Sequence, residues 1–236
     1  MKNLLVLASL AGVAATSVHA DPGVAPVIYG FQAEQFEYRF GEDDSEMLVW
    51  DFDAMIGDDD LRLVFRSEAE MDAGSGDFET LENQLRAQMP ISTFYDAAFG
   101  IHASTPTAGP ERYNLVAGVK GLAPQWFEID ADLYLSEHPF GRFEAEYEAL
   151  LTNSLIITPS IEINLPFKDD IEALQAAGGA TVELGARLSY DLIDRTISPY
   201  VGMNYEKSFA GTADLIEAAG EESDNFSVVI GTRLFF

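Results

Sequence analysis

Two stretches of the sequence place acidic residues at every second position, with apolar or aromatic residues between them. The acids are Glu128, Asp130 and Asp132 in FEIDADLYL, and Glu144, Glu146 and Glu148 in RFEAEYEALL. A spacing of two is the period of a β-strand, whereas a helix would spread these acids around its circumference. Carboxylates on two paired strands repel one another unless cations or arginines lie between them. The pattern therefore indicates a wet, acidic strand face that attracts cations.

Soft metal ligands are few and scattered. Met47 and Met55 share the parity of the acidic face, His102 lies near the end of a strand, and His138 lies in a loop. Thioether and imidazole groups are ligands for soft and borderline metals, so these four residues are the candidate metal ligands. No two of them stand at an obvious chelate spacing. The alternatives are packing inside the protein for the methionines and contact with water for the histidines.

Catalytic motifs are missing from the sequence. The absence of cysteine excludes a catalytic thiol and a thiolate metal site. His102 and His138 are the candidate bases for a serine hydrolase, but neither accompanies a nucleophile motif such as GxSxG. We therefore expect that the protein is not an enzyme and has no catalytic residues.

Charge and hydropathy restrict the partners and the location. The chain has 236 residues, with 40 acidic and 13 basic side chains and a net charge of -27, so nucleic acid is repelled. Residues 1–20 have the form of an export signal, with Lys2, an apolar run and a small-residue cleavage site ending at Ala20. No later stretch approaches the roughly 20 apolar residues of a transmembrane helix. If the exported chain meets a membrane, it must do so with strands.

Alternation of polar and apolar residues recurs in about twelve segments, each near the length that a tilted strand needs to cross a bilayer. The segments are 29–40, 46–57, 60–72, 77–89, 93–103, 112–121, 125–136, 140–151, 155–165, 180–190, 198–208 and 225–236. Short connections alternate with longer ones, which is typical of an outer-membrane barrel with both termini on the periplasmic side. We predict a short N-terminal segment over 21–28 and an all-β, antiparallel transmembrane barrel of about 12 strands over 29–236.

A secreted β-sandwich is the alternative fold, because its strands also alternate. Strand length, loop alternation, the terminal Phe236 and the missing cysteines favour the barrel, which also leaves no strand edge exposed. Three local features are expected: a bulge between Phe31 and Phe36, a bulge or bend at Pro159, and a short helix within FAGTADLIEAAGE.

In a barrel, the acidic face lines the lumen and the apolar face meets lipid. The acids assigned to the lumen are Asp51, Asp53, Glu68, Glu70, Glu128, Asp130, Asp132, Glu144, Glu146 and Glu148, together with the arginines Arg62, Arg66, Arg86, Arg142, Arg187 and Arg233. One interpretation is a negative lumen that concentrates cations. The other is a salt-bridged plug through which little passes, because side chains fill much of a twelve-stranded barrel.

Long motifs resemble those of a known family. They are GLAPQWFEIDADLYL (Gly121–Leu135), FEAEYEALLTNSLIITPSIEINL (Phe143–Leu165), LGARLSYDLIDRTISPYVGM (Leu184–Met203) and FAGTADLIEAAGE (Phe209–Glu221). The chain resembles the copper resistance protein B family of outer-membrane barrels from about Tyr29 to Phe236. The resemblance implies a location in outer-membrane lipid and a role in copper tolerance, with the copper ion as the bound or exported species. As a working mechanism, we expect a periplasmic copper carrier or multicopper oxidase to supply the barrel, although the sequence identifies no such partner.

One departure from the family bears on mechanism. Many of its members carry a methionine- and histidine-rich segment ahead of the barrel, which suits Cu(I), whereas Asp21–Ile28 contains neither residue type. We therefore expect copper handling to depend on the barrel, whose carboxylates attract Cu(II) loosely. The alternative function is a general cation-preferring porin or a structural barrel.

Overall fold

A computed structural model describes residues 26–42, 45–193 and 195–236 as a closed antiparallel β-barrel. The strands are β1 (Ile28–Gly41), β2 (Glu46–Gly57), β3 (Arg62–Asp72), β4 (Phe78–Pro90), β5 (Tyr95–Ser104), β6 (Arg112–Ala123), β7 (Phe127–Leu135), β8 (Phe140–Tyr147 and Ala149–Leu150), β9 (Leu155–Pro166), β10 (Ala180–Tyr190), β11 (Ile197–Phe209) and β12 (Asp224–Phe235). The helix α1 (Ala210–Ala219) lies between β11 and β12. The predicted export signal falls outside the described residues.

Each strand pairs with the next one along the chain, and β12 returns to pair with β1. The closing register places Tyr38 opposite Ile230 and Phe40 opposite Val228. Every described strand edge is therefore covered, which removes the edges that invite aggregation. The predicted fold and its twelve strands are confirmed, and the strand ends lie within a few residues of those expected from the alternation.

Apolar side chains cover the outside of the barrel, and polar side chains fill the inside. Along β7, Leu133 and Leu135 are exposed on the outer face, whereas Asp130, Asp132 and Tyr134 are buried within the barrel. At one end of the wall, outward tyrosines donate hydrogen bonds to acids: Tyr38 to Glu46 at 2.5 Å, Tyr113 to Glu111 at 3.0 Å and Tyr205 to Asp224 at 2.9 Å. Such a band of aromatic residues is typical of the boundary between lipid and water.

The two ends of the barrel differ in their connections. One end of the barrel carries the turns 58–61, 91–94, 124–126 and 151–154, the connection between β10 and β11, the start of β1 and the end of β12; we call it the short-turn end. The connections 167–179 and 210–223 are longer and lie at the opposite, long-loop end. Among the described residues, no helix has the length and apolar character needed to cross a membrane.

Two of the three local expectations are confirmed. The register of β1 shifts beyond Ala33 on both sides, which is the predicted bulge, and α1 is the predicted helix, ending at Gly220 with a φ of 89°. No bulge occurs at Pro159, because the register of β9 against β8 and β10 is the same before and after it. The effect is confined to β8, where the ladder is interrupted at Glu148. A proline has no N–H to donate, so it removes ladder bonds without requiring an extra residue.

Candidate functional site in the lumen

The structure places all ten acids assigned to the lumen on the inner wall of the barrel. Six of them line a cavity of about 90 Å³ in the middle of the lumen, which we call the mid-lumen cavity: Asp51, Glu68, Glu128, Asp130, Glu144 and Glu146. Glu70 lines a larger space of about 790 Å³ at the long-loop end, the vestibule. Glu148 lines a space of about 410 Å³ at the other end, the short-turn pocket. Asp53 and Asp132 are held by basic side chains of the wall.

The hairpin of β7 and β8 brings acids face to face. Its register sets Glu128 opposite Glu146 and Asp130 opposite Glu144, as expected for two alternating strands joined by a short connection. Like charges directly opposite one another destabilise a sheet unless cations intervene. Here the intervening positive charges are arginine side chains on other strands of the barrel.

Arginines from β3 and β4 brace one side of this hairpin. The fully buried guanidinium of Arg86 donates to Asp132 at 2.9 Å and to Asp130 at 3.0 Å. Arg66 donates to the same Asp130 at 3.0 Å and to Asp53 at 3.1 Å. A buried charge needs such partners, since an unpaired one is strongly unfavourable. These acids and arginines therefore form a structural network.

A second network, around Arg142, braces the vestibule side of the wall. Arg142 donates to Glu68 at 2.7 Å and to Glu82 at 2.8 Å, and its guanidinium carbon lies 5.5 Å from the centre of the Tyr134 ring. The buried Tyr134 also accepts a hydrogen bond from Gln84 at 3.0 Å. Arg142 thus joins carboxylates on β3 and β4 to its own strand, β8.

A third network surrounds Glu37, which the sequence analysis did not assign to the lumen. Glu37 is 1% exposed and accepts hydrogen bonds from Arg39 at 2.7 Å, from Arg187 at 2.9 and 3.0 Å, and from the Tyr200 hydroxyl at 2.8 Å. The predicted bulge in β1 was the signal that could have revealed the inward position of Glu37. Counting the parity of β1 from Phe36 onwards would have turned Glu37 and Arg39 inward.

The mid-lumen cavity is different, because its acids outnumber the available cations. Nine carboxylates and one amine, that of Lys120, line it. Within residues 26–42, 45–193 and 195–236, no basic nitrogen lies within 4.0 Å of Asp51, Glu128 or Glu34. Lys120 itself lies 3.6 Å from Asp53 and 4.0 Å from Asp130. The cavity therefore carries an excess of negative charge that a mobile cation can compensate.

The four candidate soft ligands are not brought together. Met47 and Met55 belong to the same strand, eight residues apart, which is roughly 26 Å along a strand. Met55 lies near the short-turn end and is 37% exposed, while His102 and His138 both line the vestibule. In the part of the chain that the structure describes, no group of three or more His, Cys, Asp or Glu residues is arranged to hold a metal ion.

The two histidines also differ in whether a ring nitrogen is available to bind a metal ion. The ring of His102 is buried: Nδ1 is hydrogen-bonded to Asn114 at 2.9 Å, and Nε2 lies 3.2 Å from Glu82 without forming a hydrogen bond, so neither nitrogen is open to solvent. His138 donates from Nδ1 to the Asp169 carbonyl oxygen at 3.0 Å, which leaves Nε2 for a ligand. A backbone carbonyl commonly orients a metal-binding imidazole in this way. Of the two, His138 is better suited to contact a passing metal ion.

A loop at the rim of the vestibule is held by an ion pair. Arg112 donates to the two carboxylate oxygens of Asp170 at 2.7 and 2.8 Å, and Asp170 is buried. The hydrogen bonds and charge of Arg112 hold the pKa of Asp170 below its ordinary value. This pair fixes the connection 167–179, whose residues Ala173 and Leu174 line the vestibule.

Comparisons with known proteins agree with this architecture. The sequence model of the family described as "Copper resistance protein B precursor" matches residues 27–236. A "Copper resistance protein B homolog" of Pseudomonas syringae pv. tomato is 31% identical over 208 residues, covering 87% of this chain and 69% of that protein. "Copper resistance protein B" of Escherichia coli is 30% identical over 205 residues, covering 86% and 68% respectively.

The fold is also similar to that of a solved porin. The NanC porin superposes with a TM-score of 0.55 at 11% identity, covering 88% of this chain and 99% of that chain. At this identity the likeness concerns the fold, which is that of a membrane-spanning barrel. The family match extends over nearly the whole described chain and includes every strand of the barrel. The chain therefore belongs to the copper resistance protein B family.

Proposed function

We propose that this protein contributes to copper tolerance at the outer membrane by concentrating copper ions in its acidic lumen and letting them pass. The observation that carries the proposal is the mid-lumen cavity, where Asp51, Glu128 and Glu34 have no basic partner within 4.0 Å among the described residues. Such charge raises the local concentration of cations in a narrow, low-dielectric channel. Copper is the cargo that the family membership indicates.

Carboxylate chemistry determines which form of the ion the lumen favours. Oxygen ligands prefer harder cations, whereas Cu(I) prefers sulfur, so the cavity attracts Cu(II). The described residues provide no cluster that could hold the ion tightly. Conduction requires sites that are weak enough for the ion to leave, so loose attraction suits passage better than storage. His138, with its free Nε2 in the vestibule, would be a first contact at the long-loop end.

Copper has to reach the barrel from another protein if the ion is exported. We propose a periplasmic copper carrier or multicopper oxidase as the supplier, meeting the short-turn end, where β1 begins and β12 ends, since the termini of such barrels lie on the periplasmic side. Direct delivery would keep the ion out of solution. Cross-linking from the turns of the short-turn end would test this contact.

The alternative is a general cation-preferring porin. It is favoured by the absence, among the described residues, of any three-residue metal cluster. Both functions predict a cation-selective lumen, but only the first predicts dependence of copper tolerance on the lumen acids.

Planar bilayers and growth assays distinguish these functions. We expect the wild-type barrel to give a cation-selective reversal potential in a salt gradient. The pair Asp51→Asn with Glu128→Gln should reduce that selectivity and also fail to restore copper tolerance to a deletion strain. A matched control is Asp59→Asn, an exposed turn acid that lines none of the three spaces.

Two outcomes would count against the proposal. A wild-type barrel without cation selectivity would remove the acidic-lumen mechanism altogether. Selectivity that depends on Asp51 and Glu128, combined with normal copper tolerance of the double variant, would leave the general porin. Isothermal titration of the refolded barrel with Cu(II) should show weak binding that the double variant loses.

A further inference from the structure

An ion-paired group of three side chains lies between the mid-lumen cavity and the short-turn pocket. Glu146 lines the mid-lumen cavity, whereas Arg233 and Glu148 line the short-turn pocket. The guanidinium of Arg233 donates to both oxygens of Glu146 at 3.1 and 3.0 Å and to Glu148 at 3.0 Å. These three side chains therefore stand on the boundary between the two spaces.

The guanidinium is held in a fixed orientation. Arg233 is 7% exposed, and its two terminal nitrogens are both bound: Nη2 donates to the two oxygens of Glu146, and Nη1 donates to Glu148. Its strand, β12, pairs without interruption with β11 around Arg233, which lies opposite Ser198. A planar, permanently charged group in such a position places a fixed positive charge in the lumen.

Glu148 is held less firmly than its neighbours. It is the residue at which the β8 ladder is interrupted, and its second partner, Arg195, is an exposed residue of a turn at 3.3 Å. Arg195 also lies 3.6 Å from Asp191. Ion pairs with exposed partners contribute little, so Arg195 adds little to the hold on Glu148, which depends mainly on its bond to Arg233.

We infer that Arg233, Glu146 and Glu148 form the gate that controls cation passage between the mid-lumen cavity and the short-turn end. A fixed positive charge in a narrow channel is an electrostatic barrier to cations, and the two carboxylates lower that barrier. An ion that crosses must replace Arg233 at Glu146, and a divalent ion competes better than a monovalent one because its attraction to the carboxylate is about twice as large. This gate rests on the proposed function, since it regulates the same lumen.

Conductance of the full-length mature barrel in planar bilayers tests the gate. Arg233→Gln should raise cation conductance several-fold and leave the sign of the selectivity unchanged, because the barrier is removed and the acids remain. Glu148→Gln should have the opposite effect and lower cation conductance, since Arg233 then keeps only Glu146. Arg233→Lys retains the charge and should conduct like the wild type.

A matched control lies at the same end of the barrel. Arg62 is ion-paired with Asp96 on the inner wall but lines none of the three spaces, so Arg62→Gln should leave conductance unchanged. Arg233→Gln with wild-type conductance, or an equal increase in Arg62→Gln, would overturn the gate. A cation-selective wild type combined with that result would leave the proposed function intact. If Arg233→Gln does not fold, the opposite-signed change expected for Glu148→Gln decides the question.

Discussion

Asp53 and Asp51 are successive inward residues of β2, yet their surroundings are opposite. Asp53 lies 3.1 Å from Arg66 and 3.6 Å from Lys120, whereas Asp51 lines the mid-lumen cavity with no basic nitrogen of the described chain within 4.0 Å. The first acid belongs to a structural network, and the second belongs to the cavity. The number of acids is therefore a poor guide to function, because what stands across the lumen decides which of them can meet a mobile ion.

The same contrast extends over the whole lumen. The networks around Arg86, Arg142 and Glu37 use their charges to hold distant strands together. The mid-lumen cavity keeps like charges close to one another, which is unfavourable for folding and useful for attracting cations. Sites that carry function commonly have such a cost in stability.

The largest expected effect comes from breaking the structural network. Arg86→Met should lower the free energy of unfolding by about 3–5 kcal/mol, because it leaves the charge of Asp132 buried without its basic partner and leaves Asp130 to Arg66. Equilibrium unfolding in urea with lipid vesicles measures the change. Lys207→Met is the control, since its exposed pair with Asp224 at 3.8 Å should contribute about 0–1 kcal/mol. Equal effects of the two variants would contradict the structural role assigned to the buried network around Arg86.

A smaller effect should separate the two neighbouring acids of β2. Asp53→Asn should destabilise the barrel by about 1–3 kcal/mol, since Arg66 loses a charged partner. Asp51→Asn removes a charge that has no such partner and should leave stability unchanged or raise it. The same unfolding experiment measures both variants, and each serves as the control of the other. A destabilised Asp51→Asn would show that this acid has a structural role.

The smallest effect concerns the loop at the vestibule rim. Because Arg112 lowers the pKa of Asp170 in the folded state, the stabilisation of the loop is present at neutral pH and is lost as the pH falls below 3.8, the ordinary value. A nitroxide label on Ala173→Cys, unique in a chain without cysteine, should report increasing mobility over that range. In Arg112→Gln the label should already be mobile at neutral pH. A label equally immobile in both proteins would disprove the role of this ion pair.

Much of the architecture could be predicted from the sequence. The alternation of residues such as Glu128, Ile129 and Asp130 defines strands of period two, and the lengths of strands and loops define a barrel. The assignment failed where local chemistry changed the parity, as at Glu37 beyond the bulge of β1. The bulge considered at Pro159 is absent, because the missing N–H interrupted a ladder without shifting its register.

Periodicity along the chain by itself determined the strands, the inward face of each and the excess of acid on that face, because side chains alternate with the backbone of a strand. Only the closed barrel decided which acids are neutralised. Arg86 and Asp132 are 46 residues apart in sequence, and Arg233 and Glu146 are 87 apart, yet each pair is in contact. Such contacts depend on strand register and on the curvature of the wall, which bring together faces that the sequence pattern describes only one strand at a time.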